Sequence, residues 1–218
     1  MTDKLQLQDY IDHTNLKPMA TVLDIKNLCK EAIDYNFYAV CINGSFVAIA
    51  KKELQNSRVK LAAVIGFPLG AMSTKAKVYE AKECVASGAD EIDMVINVGQ
   101  LKSGNTDFVR AEIERIKQAI GDTVLKVIIE TCFLTTVEKK EATNLAMDAG
   151  ADFVKTSTGF GSGGATLEDV QLMKSIVGDT VKIKASGGVR DKETALEYIK
   201  LGVSRIGTSS GIAIVSTK

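Results

Sequence analysis

Short apolar runs rich in β-branched residues alternate along the whole chain with longer stretches whose apolar positions recur at helical spacing. The runs are IDHT (11–14), YAVCIN (38–43), KLAAVIGFP (60–68), EIDMVIN (91–97), VLKVIIE (124–130), FVKTST (153–158), VKIKAS (181–186) and RIGTS (205–209). Such near-continuous apolar segments suit strands covered on both faces. Between them, TVLDIKNLCKEAIDYN (21–36), TKAKVYEAKECVAS (74–87) and TDFVRAEIERIKQAI (106–120) predict helices. In the last, Phe108, Ile113, Ile116 and Ile120 predict the buried stripe. The segments SGAD (87–90), DAGAD (148–152) and LGVS (201–204) carry the glycine that stops a helix before the next strand.

Strand–helix alternation implies parallel strands joined by right-handed crossovers. Eight units of roughly 25–30 residues predict a single-domain (β/α)8 TIM barrel over residues 1–218. An open doubly wound sheet is the alternative, but no GxGxxG follows the first strand. There is no linker or low-complexity segment, and Pro18 and Pro68 are the only prolines. The first strand is short, and little chain remains after Ser209 for a last helix.

Composition narrows the function classes. Lysine plus arginine equals aspartate plus glutamate at 27 each, so no net field draws nucleic acid or an anionic membrane. The opening MTDKLQLQDYID has no apolar leader and no run is long enough to span a bilayer, so the cytoplasm is expected. Cys29, Cys41, Cys84 and Cys132 are scattered without metal spacing and are expected to be reduced thiols.

Charge interrupts four successive strands: Asp93 in EIDMVIN, Lys126 in VLKVIIE, Lys155 in FVKTST and Lys184 in VKIKAS. A lysine in a buried strand is expensive unless paired or neutralised. Any one of them could be a structural ion pair, but four together predict a site at the C-terminal mouth of the barrel. Lys182, nearer the start of its strand, is read as structural or solvent-facing. Clustered, desolvated lysines favour the neutral form of one member, which then attacks carbonyls to form an imine. Asp93 is placed to move protons, directly or through a water. With no HExxH and His13 as the single histidine, no metal or cofactor is expected; His13 beside Asp12 reads as a hydrogen-bonded structural residue.

Glycine-rich segments follow the last three strands: TSTGFGSGG (156–164), SGGVR (186–190) and GTSSG (207–211). One such loop is ordinary turn chemistry. Two adjacent ones after the last strands, beside a lysine cluster, predict a phosphorylated substrate.

The segments IDHTNLKP (11–18), EIDMVINVGQLKSGN (91–105), LKVIIET (125–131), FVKTSTGF (153–160) and KASGGVR (184–190) resemble the short bacterial deoxyribose-phosphate aldolases, in order over nearly the whole chain. The resemblance implies a metal-free class I aldolase that interconverts 2-deoxy-D-ribose 5-phosphate with D-glyceraldehyde 3-phosphate and acetaldehyde. It implies Lys155 as the Schiff-base lysine, Lys184 as the lysine that tunes it and Asp93 as the proton shuttle. Asp12 and Lys126 fall in the supporting network; Gly159, Gly187, Gly188, Ser209 and Ser210 match phosphate-binding positions. A homodimer is the assembly implied. The chain departs from some relatives in carrying Phe160 where they have a lysine, so phosphate contacts there are expected from backbone. It also carries no tyrosine after Tyr198, so no tail-borne tyrosine is expected to assist. The lysine–aspartate cluster alone leaves open an aldolase or transaldolase for another sugar phosphate. A barrel that senses a phosphorylated metabolite without turnover is the reading from outside the enzymes.

Overall fold

The computed structural model describes residues 6–216, so MTDKL at the start and the last two residues of IVSTK lie outside the described residues. Chain order is β1 (Ile11–Asn15), α1 (Val22–Asp34), β2 (Ala39–Asn43), α2 (Val47–Glu53), β3 (Lys60–Ile65) and α3 (Thr74–Ala86). Then come β4 (Glu91–Val95), α4 (Val98–Lys102), α5 (Thr106–Ile120), β5 (Val124–Ile128), α6 (Thr136–Asp148) and β6 (Phe153–Lys155). The chain continues through α7 (Leu167–Val177), β7 (Lys182–Ser186), α8 (Lys192–Lys200), β8 (Arg205–Thr208) and α9 (Gly211–Ser216). The strands pair in parallel in sequence order, and β1 closes on β8 through Ile11–Ile206, Asp12–Gly207 and His13–Thr208. This is the (β/α)8 barrel the alternation predicts.

Local chemistry sets the boundaries. Thr21 and Asp24 form a reciprocal capping box at the start of α1, as Thr135 and Glu138 do for α6. The stop signals act as read: Gly88, Gly150 and Gly202 all have positive φ. The stripe of α5 differs from expectation. Val109, Ile113, Ile116 and Ile120 are buried, whereas Phe108 is exposed. Val109 and Ile113 are four residues apart and share a face, and Phe108 is turned a further 100° or so away.

The two faces of each strand do different work. Ile11, Val40, Leu61, Ile92, Leu125, Val154, Ile183 and Ile206 join the large apolar core that includes buried side chains of the helices. The opposite parity faces the barrel interior. There Cys41, Ala62 and Val64 form a small apolar cluster with Leu16. The rest of that interior is charged: Asp12, Glu91, Asp93, Lys126, Lys155, Lys184 and Arg205 are all buried. A second buried ion pair lies among the helices, Lys77 of α3 with Glu112 of α5 at 2.7 Å. Lys77 Nζ also donates to Val95 O at 2.8 Å.

Candidate active site

Strand register delivers the interior charges to one another. Asp93 of β4 lies opposite Lys126 of β5, and Lys155 of β6 lies opposite Lys184 of β7. Asp93 accepts from three lysines: Lys126 at 2.7 Å on Oδ1, then Lys155 at 2.9 Å and Lys184 at 2.8 Å on Oδ2. Lys184 also meets Asp12 at 2.5 Å, and Asp12 accepts from Arg205 at 2.8 Å. Arg205 continues to Glu91 at 2.9 Å, and Glu91 returns to Lys126 at 2.6 Å. Asp93, Lys184, Asp12, Arg205, Glu91 and Lys126 thus form a closed ring of alternating sign. Lys155 hangs outside that ring on a single carboxylate contact.

The electrostatics follow from that pairing. Burial opposes ionisation of Asp93, but Lys126, Lys155 and Lys184 hold its carboxyl well below the usual range. Burial likewise opposes ionised Asp12, yet Lys184, Arg205 and Lys126 bring it down to about 2. Burial disfavours the charged form of Lys184, and Asp12 and Asp93 override it, so its ammonium is held above its ordinary value. Lys126 is raised in the same way, against burial, by Asp93 and Glu91. Cys41 Sγ sits 4.0 Å from Asp93 Oδ2, and burial pushes its thiol up, keeping it protonated.

Asp93, Lys126, Lys155 and Lys184 do come together, but below the mouth. A cavity of about 500 Å³ opens at the C-terminal ends of β1, β6, β7 and β8, and of the four only Lys155 lines it. Gly159, Gly187, Gly188, Ser209 and Ser210 line the same cavity. A larger opening of about 830 Å³ lies at the opposite end of the barrel, beside Arg205 and Lys182, where Lys155 does not reach. Lys182 is exposed there, its Nζ 5.7 Å from the Phe153 ring centroid. His13 is hydrogen-bonded through Nε2 to Glu31 at 2.7 Å. Among the described residues, no group of three or more His, Cys, Asp or Glu side chains is placed to hold a metal ion.

Hydroxyl groups stitch the glycine-rich loops together. Ser186 Oγ donates to Ser157 O at 2.6 Å, and Thr208 Oγ1 donates to Val189 O at 2.6 Å. Ala165 N–H donates to Gly187 O at 3.0 Å, and a Cβ on Gly164 would lie 2.2 Å from that same oxygen. Gly187 and Gly188 have positive φ, which turns the loop after β7 across the cavity. Ser210 N–H donates to Thr208 Oγ1 at 2.9 Å, and Ser209 is exposed at the rim.

Glu91 and Arg205 are missing from the sequence-based site. Each opens its strand, where charge is ordinarily solvated. The available signal was parity, since Glu91 shares a face with Asp93, two residues on.

Comparison with known proteins agrees with this geometry. The profile of the DeoC/LacD family aldolases matches residues 8–216. A deoxyribose-phosphate aldolase of Finegoldia magna is 54% identical over 211 residues, covering 97% of this chain and 99% of that protein. One from Caldicellulosiruptor saccharolyticus is 56% identical over 216 residues, covering 98% of each. Among solved structures, an aldolase designated QR15 superposes with a TM-score of 0.93 at 45% identity, over 99% of this chain and 95% of that one. The deoxyribose phosphate aldolase from Aeropyrum pernix, described as a unique tetramer, gives 0.87 at 32% identity, over 96% and 89%.

Proposed function

The chain belongs to the DeoC/LacD family of aldolases, and on that premise we propose how its own residues perform the reaction. It is a class I aldolase that cleaves 2-deoxy-D-ribose 5-phosphate reversibly to D-glyceraldehyde 3-phosphate and acetaldehyde through a lysine Schiff base. Lys155 is the nucleophile. The observation that carries this assignment is its place outside the charge ring: it lines the cavity and holds one carboxylate, while Lys126 and Lys184 each hold two. Of the three it forfeits the least ion pairing on attacking as a neutral amine.

The open-chain aldehyde adds to Lys155 Nζ to give a carbinolamine, which loses water to form the iminium. The C2–C3 bond then breaks, its electrons pass into the iminium, and the C3 hydroxyl proton leaves through a water to Asp93. In the free enzyme Asp93 is a weak base, because the three lysines facing it hold its carboxyl well below the usual range. Iminium formation leaves one N–H and the positive charge on Lys155 Nζ, so Asp93 keeps its counter-ions and stays ionised to take the proton from the water. Glyceraldehyde 3-phosphate departs, the enamine is protonated on carbon, and water releases acetaldehyde and the free amine. Lys184 stays charged throughout, and Asp12 and Lys126 hold the ring in register.

Gly159, Gly187, Gly188, Ser209 and Ser210 are the phosphate end of the site in this reading. Their support is convergence on the cavity that Lys155 floors. A homodimer in the cytoplasm completes the proposal, in keeping with four free cysteines; no described helix is long and apolar enough to cross a membrane. Incubation with acetaldehyde and sodium borohydride, followed by intact mass and peptide mapping, tests the assignment. A two-carbon adduct on Lys155 is expected; an adduct on another lysine, or none, refutes it.

A further inference from the structure

Glu130 is a buried carboxylate just beyond β5, and the mechanism above makes no use of it. Its backbone is left-handed, with φ 55° and ψ 67°. A non-glycine residue adopts that conformation at a cost and keeps it only where its surroundings fix it. Here both flanks are pinned to the lysine strand. Ile129 N–H donates to Lys155 O and Thr131 N–H to Thr156 O, each at 3.0 Å. The twist between them turns the Glu130 side chain towards the segment that follows Lys155.

Its partners there are neutral donors. Thr158 N–H donates to Glu130 Oε1 at 3.1 Å, and Thr158 Oγ1 donates to Oε2. With its proton so committed, Thr158 Oγ1 accepts from Phe160 N–H at 3.0 Å. Two of the three amides from Thr158 to Phe160 are therefore spent inside the loop, and Gly159, at φ 85°, sits between them on the cavity wall. The fit behind the loop is close as well. A Cβ on Gly161 would come 2.6 Å from Cys132 Sγ and 3.4 Å from Glu130 Cδ.

We propose that Glu130 is a positioning residue for substrate selectivity, which through Thr158 aims the Gly159 N–H at the phosphorylated end of the substrate. Its side-chain hydrogen bonds go to Thr158 and Cys132, away from Lys155 Nζ and the ring of charges, so it governs affinity for the phosphate and leaves the carbon–carbon chemistry alone. The proposal rests on the aldolase reading above.

Steady-state kinetics on deoxyribose 5-phosphate and unphosphorylated deoxyribose test it in Glu130→Gly and Glu130→Gln. Glycine accepts the backbone and deletes the carboxylate. Glutamine keeps one neutral acceptor oxygen for Thr158 and replaces the other with an NH2 donor. The KM for the phosphorylated sugar should rise about tenfold or more in Glu130→Gly, the cost of one charge-assisted hydrogen bond, and less in Glu130→Gln. Its kcat, the unphosphorylated reaction and borohydride trapping of acetaldehyde should stay at wild-type levels. Equal losses on both sugars, or a lower melting temperature with unchanged KM, overturn the proposal. If Glu130→Gly does not fold, Gly161→Ala displaces the same loop from behind and must raise the same KM; an unchanged KM there also overturns it. A wild-type enzyme that fails to trap acetaldehyde would instead refute the aldolase reading itself.

Discussion

Lys155 Nζ stands 2.9 Å from Asp93 Oδ2, an oxygen that Lys184 Nζ also reaches at 2.8 Å. One carboxylate oxygen therefore couples the nucleophile to a cation that is itself anchored on Asp12. The arrangement makes Asp93 sensitive to the covalent state of Lys155.

Asp93→Asn keeps the shape and removes the charge. Turnover should fall by about 10²- to 10⁴-fold, the usual worth of general acid–base catalysis, with a much smaller change in KM. EDTA should leave wild-type activity intact. Activity lost to EDTA and regained with zinc would contradict a Schiff-base mechanism.

Lys184→Arg preserves a cation between Asp12 and Asp93, whereas Lys184→Leu removes it, so the arginine variant should retain more activity. In the leucine variant the two carboxylates lose a shared counter-ion and favour protonated Lys155. The rising limb of its rate profile should therefore move to higher pH. Coincident profiles for wild type and Lys184→Leu would remove the electrostatic role.

Acid should weaken the fold through Asp12, whose carboxyl falls from 3.8 to about 2 on folding. A depressed carboxyl stabilises the folded state fully above its unfolded value, and that contribution fades as pH drops towards the folded one. About 2 kcal/mol should disappear between roughly pH 5 and pH 2. Urea unfolding at a series of pH values reads this out. Asp12→Asn, less stable at neutral pH, should show a shallower slope over that window.

Ser209 is exposed at the cavity rim, so Ser209→Glu should fold. Its added charge would stand where a dianion must bind. KM for deoxyribose 5-phosphate should rise at least about tenfold, on the scale of one hydrogen bond to a charged group. Unphosphorylated deoxyribose should be hardly affected. Equal effects on both would move the phosphate site elsewhere.

Lys77 and Glu112 test burial of charge away from the site. Lys77→Met leaves Glu112 without its counter-ion and should cost about 3–5 kcal/mol, while Lys77→Met with Glu112→Leu should recover most of it. Chemical denaturation of both variants measures the difference. Additive losses in the double variant would show that the pair is not coupled.

How far the sequence reveals this molecule depends on which rule each segment obeys. Strand order was legible because apolar runs and glycine stops recur in step. Strand ends were not. KLAAVIGFP stops being a strand at Ile65, where Gly66 turns to positive φ. FVKTST ends at Lys155, after which Thr156 Oγ1 bonds to Ser186 O and Thr158 to Glu130. Charges inside apolar strands marked Asp93, Lys126, Lys155 and Lys184. Charges at strand starts, such as Glu91 and Arg205, look like ordinary solvated ends until the barrel closes. Lys77 and Glu112 were hidden because a charged position on a helix normally faces water. Glu130 carried no signal at all, since a left-handed turn is expected at glycine or asparagine.

Alternation imposes parity on the six-membered ring. A ring of opposite charges closes only with an even number of members, so removing any one of them opens it and leaves each of its two neighbours one opposite partner fewer. Engineering of this scaffold towards new aldehydes is therefore partitioned in advance. An exposed rim position such as Ser209 can be varied by itself, whereas Asp12, Glu91, Asp93, Lys126, Lys184 and Arg205 are better exchanged as neighbouring opposite pairs. A combinatorial library that samples those positions independently should lose stability in most members, and its most stable members should be enriched in paired replacements.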